Sequence, residues 1–117
     1  MRMLLLALPF VLLAEARAHA TSGMVCSTAD PNPVEVSIVI GNTTGSPIVS
    51  GRLLDSGKSV EVRAVQWWVD ASELRLLLVD PEATREEVLI KAKKNGSFYD
   101  GTLARSGRSR WVRCREA

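Results

Sequence analysis

The chain has 117 residues, 46% apolar and 24% charged, with 15 Lys or Arg against 13 Asp or Glu. This balance excludes a disordered chain, a coiled coil, a polytopic membrane protein and a multidomain assembly. It leaves room for one small globular domain.

Residues 1–20 read as a cleaved secretory signal peptide. Arg2 supplies the positive start, and Met3 to Ala14 is an apolar run broken by Pro9 and too short to span a bilayer. Ala18-His19-Ala20 then provides the small residues that a signal peptidase accepts. The expected mature protein is a single domain over 21–117, periplasmic or secreted, with no transmembrane segment. His19 is the only histidine, so cleavage removes the imidazole that Ser-His-Asp or Cys-His catalysis needs. It likewise removes any imidazole ligand for zinc, and neither metal nor cofactor is expected.

Cys26 and Cys114 lie near the two ends of that domain. An even pair in an oxidising compartment predicts a disulfide, worth about 4.5 kcal/mol in the chain-entropy account.

Between them the dominant pattern is period-two alternation interrupted by turn residues, which predicts antiparallel strands. Val34, Val36, Ile38 and Ile40 form one, followed by a turn over 41–47 that carries an Asn42-Thr43-Thr44 glycosylation sequon. Ile48 to Leu54 is the next, turned by Asp55-Ser56-Gly57. A third runs from Val60 toward Val69, and Leu74, Leu76 and Leu78 mark a fourth. Asp80-Pro81-Glu82 resembles a helix start, but the residues after it carry no helical stripe. Val88, Ile90 and Ala92 alternate, so a strand is expected there.

Asn95-Gly96 is a favoured hairpin turn and Ser106-Gly107 a second. Placing the loops on these pairs sets Lys93 opposite Phe98 and Lys91 opposite Asp100, then Asp100 opposite Arg113 and Tyr99 opposite Cys114. One face then collects Val88, Ile90, Ala92, Tyr99, Leu103, Val112 and Cys114. The fold expected is all-β: a small antiparallel meander closed, or nearly so, into a barrel of seven to eight strands. A short strand around Val25 would supply the eighth and cover the edge of the last. A two-sheet sandwich is the alternative.

The opposite face of these last strands carries Lys91, Lys93, Phe98, Trp111, Arg113 and Arg115, with Asp100 the opposing charge. Cations interleaved with aromatic rings suit an acidic protein or an envelope glycan. A solvated cross-strand charge ladder is the competing account. A second candidate surface, for a partner or a second copy, is an apolar patch of Val65, Trp67 and Leu77; a β-bulge there would exchange the faces. Nearby carboxylates such as Glu86-Glu87 lack orienting partners, so no enzyme is expected, and an exported protein makes nucleic acid an unsuitable ligand.

In size and end-to-end disulfide the expected domain resembles small periplasmic inhibitors of lysozymes or proteases, although no Ser-Gly-x-x-Tyr signature is present. The resemblance implies an inhibitor-like binding role. The function expected is therefore that of an exported binding module, with a structural or assembly protein of the envelope as the alternative.

Overall fold

The computed structural model describes residues 22–40 and 48–117. The expected leader, its cleavage site and the Asn42 sequon lie outside these residues. Nine strands follow one another: β1 (Ser22–Thr28), β2 (Val34–Ile40), β3 (Ile48–Asp55), β4 (Lys58–Val60), β5 (Arg63–Val69), β6 (Glu73–Val79), β7 (Glu86–Asn95), β8 (Phe98–Arg105) and β9 (Arg108–Glu116). They form one antiparallel sheet in the order β4-β3-β2-β1-β9-β8-β7-β6-β5. The fold is thus all-β, a strongly curled meander. No described helix is long and apolar enough to cross a membrane.

The expected third strand is divided into β4 and β5. Its first part pairs with β3, through Leu53 opposite Val60, and its second part with β6, from Arg63 opposite Val79. The two edges of the sheet are therefore joined by only Glu61 and Val62. At the opposite side of the curl, the strand around Val25 lies against the last strand as expected. Cys26 is directly opposite Cys114, and the two form the disulfide.

Alternation sorts the side chains. Met24, Cys26, Val36, Ile38, Leu53, the leucines 74, 76 and 78, Val88, Ile90, Leu103 and Val112 fill the concave side and are buried. Burying each such side chain contributes about 1.5–3 kcal/mol before entropy is counted.

Turn chemistry sets the registers. Ser56-Gly57 and Ser106-Gly107 both have positive φ at each position, the geometry that matches the right-handed twist of a two-residue hairpin. The β8–β9 register is the expected one, with Asp100 opposite Arg113 and Tyr99 opposite Cys114. The β7–β8 turn is centred one residue later than expected, on Gly96-Ser97. Only Gly96 takes positive φ, and Asn95 stays in the strand, where its amide donates to Asp100 Oδ2 at 2.8 Å. Lys93 rather than Lys91 therefore stands opposite Asp100, and Asn95 rather than Lys93 opposite Phe98. The shift is by two residues, so every side chain keeps its face.

From 80 to 85 the chain makes a loop and no helix. The Asp80 carboxylate accepts from the backbone N–H groups of Thr84 and Arg85 and from the Thr84 hydroxyl. Those bonds, the Thr84 hydroxyl foremost, hold its pKa at about 2.

One end of the curl carries a charge cluster. Arg105 and Arg110 continue the inward parity of Leu103 and Val112. Arg105 bonds Asp55 Oδ2 and Glu87 Oε1, both at 2.8 Å, and Arg85 closes on the same Glu87 at 3.0 Å. Arg110 reaches Asp30 at 3.0 Å. Arg105 and Glu87 side chains are only 13% and 9% exposed, so removing Arg105 leaves the buried Glu87 with Arg85 alone.

Two outcomes follow from this packing. Arg105→Ala is expected to lower the unfolding free energy in urea by about 2–3 kcal/mol, more than loss of an exposed ion pair. Gly101→Ala is expected to cost about 1–3 kcal/mol, because a Cβ there runs into the Lys91 carbonyl and the Ala92 Cα of the neighbouring strand. Wild-type stability in either variant would refute the corresponding contact.

Candidate functional site

Outward residues of β5 to β9 fall into lateral rows, because directly opposed residues on successive strands share a face. One row runs Glu73, Lys93, Asp100, Arg113. Its charges alternate in sign. Arg113 is engaged by Asp100 through two parallel bonds, Nε to Oδ1 at 2.7 Å and Nη2 to Oδ2 at 2.9 Å. The same guanidinium lies 4.2 Å from the Phe98 ring centroid and 5.4 Å from that of Trp111. Arg113 is thus the residue that stacks on Phe98. Its fork and its flat faces are both occupied.

The adjacent row runs Trp68, Arg75, Lys91, Thr102, Trp111. Two half-exposed indoles, at 57% and 50%, bracket two cations. Four inter-strand steps separate the rings, about 19 Å along the sheet. Arg75 approaches Glu73 at 3.5 Å. Among the described residues no ion pair involves Lys91, Lys93 or Arg115.

The structure brings all six residues of the expected basic face to the outer surface, with Lys91, Lys93, Trp111 and Arg115 exposed and Phe98 and Arg113 part-buried. Arg115 and Phe98 also border a smaller depression over β1, beside Val25 and Ser27.

The apolar patch is arranged differently from the expectation. The β5–β6 register shifts between Ala64 and Gln66, leaving Val65 as the extra residue of a bulge. Trp67 consequently turns inward and packs against the core, opposite buried Leu76, while Trp68 takes the outward place. Val65 (44% exposed) and Leu77 remain on the outside. Trp68, the neighbour of the expected Trp67, is the functional candidate that sequence reasoning missed. The signal was the adjacent pair Trp67-Trp68, of which one must face outward in any register.

Trp68 is held in place. Its Nε1–H donates to Asp70 Oδ2 at 2.8 Å, while Asp70 Oδ1 accepts from the Ser72 and Glu73 N–H groups and the Ser72 hydroxyl. These donors, the Ser72 backbone first, keep the Asp70 carboxyl well below the usual carboxylate range. Tyr99 reinforces the turn from beneath, its hydroxyl donating to the Asp70 carbonyl at 2.7 Å. Trp68 thereby stands as one wall of an open groove of about 750 Å³. Val65, Leu77 and Leu89 supply apolar lining, with Trp67 and Leu76 at the floor, and Gln66, Glu73, Arg75 and Lys91 supply polar groups.

The Arg113 guanidinium, then the Asn95 amide, hold the Asp100 pKa at about 2, below its ordinary 3.8. A folded-state value below the unfolded one stabilises above the unfolded pKa and is lost as pH falls through the folded one. Thermal midpoints are therefore expected to drop between about pH 4 and pH 2, and Asp100→Asn is expected to flatten part of that drop. An unchanged acid profile in the variant would show that the pair contributes nothing. Comparison with known proteins returned no matching family model, no matching curated protein and no matching solved structure.

Proposed function

We propose that this protein is an exported binding module that captures an anionic ligand, an acidic protein or an envelope glycan, on the outward face of β5 to β9. The observation that carries the reading is the row in which Trp68 and Trp111 bracket Arg75 and Lys91. Aromatic faces offer stacking area at low entropic cost, and cations beside them select for negative charge. The disulfide fits an oxidising compartment outside the cytosol, in keeping with removal of residues 1–20. On this reading the protein acts by capture rather than catalysis and requires no cofactor.

Within the expected basic face the roles divide. Arg113 is paired with Asp100 and acts as scaffold, while Lys93 stands between Glu73 and Asp100 in the row without an ion pair. Lys91 and Arg115 carry the net positive field toward solvent.

A second reading, envelope assembly by self-association, rests on the exposed apolar surface of Val65 and Trp68 beside Leu77. It requires a concentration-dependent dimer in sedimentation that Trp68→Ala dissociates, and a monomer at all concentrations would remove it.

The test of the first reading is binding to immobilised polygalacturonate and polyglutamate, with neutral dextran as control. Salt-sensitive binding to at least one polyanion is expected, weakened about tenfold or more in Lys91→Glu/Arg115→Glu at unchanged thermal midpoint. Equal response to dextran and both polyanions would end the proposal.

A further inference from the structure

We infer that the groove beside Trp68 is a site for an acidic N-acetylated sugar, one pyranose carrying both an acetamido group and a carboxylate. The inference rests on the capture reading above and assigns its ligand class.

Charge comes first. Arg75 and Lys91 are directly opposed on β6 and β7. Like charges at directly opposed positions destabilise a sheet. Glu73 approaches Arg75 from one side, at 3.5 Å, and Lys91 has no such partner among the described residues. An anion seated between the two cations would relieve the repulsion. Two cations and one carboxylate leave the rim with a single net positive charge, which suits a monocarboxylate better than a dianionic phosphate.

Shape and polarity narrow the ligand further. A volume of about 750 Å³ lies within the range of small-molecule sites. A stable protein partner needs roughly 800 Å² on each side around an apolar centre. The exposed large apolar residues among those described are only Val39, Val65, Trp68 and Trp111, and of these only Val65 and Trp68 border the groove. A small ligand is therefore favoured over an acidic protein.

The groove also presents the three surfaces that such a sugar needs. The Trp68 ring, fixed at its nitrogen by Asp70, offers a ready stacking face for the C–H side of a pyranose, with its ordering entropy already spent. Leu77 and Leu89, opposed on β6 and β7, provide an apolar seat for an acetyl methyl. Gln66 and Glu73 can exchange hydrogen bonds with ring hydroxyls, and the carboxylate lies toward Arg75 and Lys91.

The experiment titrates the ¹⁵N-labelled protein with N-acetylmuramic acid, followed by the Trp68 indole and Lys91 amide resonances. N-acetylglucosamine, glucuronic acid, inorganic phosphate and a glutamate-rich peptide are run alongside. The acidic N-acetyl sugar is expected to bind in the millimolar range, about fivefold or more tighter than either sugar lacking one of its two groups. Trp68→Ala and Lys91→Glu are each expected to weaken it about tenfold, and Lys91→Arg to retain it. Equal shifts with all three sugars, or none with any, would overturn the assignment. Peptide or phosphate binding at these residues in place of sugar would also overturn it, while leaving anion capture intact. Failure of polygalacturonate and polyglutamate binding as well would remove both readings.

Discussion

Two runs of hairpin-linked strands, β1 to β4 and β5 to β9, meet along a single ladder, that between β1 and β9. Every other pairing joins strands adjacent in sequence. The β1–β9 ladder brings together residues 88 positions apart, and the Cys26–Cys114 bond lies within it. A contact this distant carries the largest loop-closure cost in the chain, and a covalent bond reduces that cost by constraining the unfolded state. Small domains bury too little surface to absorb such losses easily. The curl, the enclosed core and the placement of the outer face all depend on this junction.

From there the outer surface follows by parity. With Cys26, Cys114 and Tyr99 inward, Arg113, Asp100 and Phe98 must point outward, and the same count carries across β7 and β6 to Lys91 and Arg75. The bulge at Val65 then breaks the count once, turning Trp67 into the core and Trp68 to solvent beside the two cations. Much of the positive charge on this surface is spent on structure. Arg113 is clamped by Asp100 and stacked on Phe98, and the proposed ligand site accordingly lies one row away.

Most of the fold was legible in the sequence because its causes are local. Alternation identified the strands, Ser106-Gly107 located one hairpin at the correct residue, and Asp55-Ser56-Gly57 located another to within one residue. An even cysteine count gave the end-to-end bridge. What escaped required long-range knowledge. The Gly96-Ser97 turn displaced Asn95-Gly96 because Asn95 finds a partner in Asp100 across the hairpin. The bulge at Val65 decides which indole faces the core, Trp67 opposite Leu76. Nothing local in the sequence marks Arg105 and Arg110 as inward; only the approach of Asp55, Glu87 and Asp30 from distant turns explains cations at those positions. The groove depends on the bulge, which adds Trp68 to the expected Val65, Trp67 and Leu77 around it.

The most direct test of the account is amide hydrogen exchange, compared between the oxidised and the reduced protein. If the β1–β9 junction governs the fold, reduction will speed exchange in β2 and β3 and in β7 and β8 together, although neither set contains a cysteine. Persistence of slow exchange in β5 to β9 after reduction would show that the C-terminal meander stands alone, contradicting the dependence argued here.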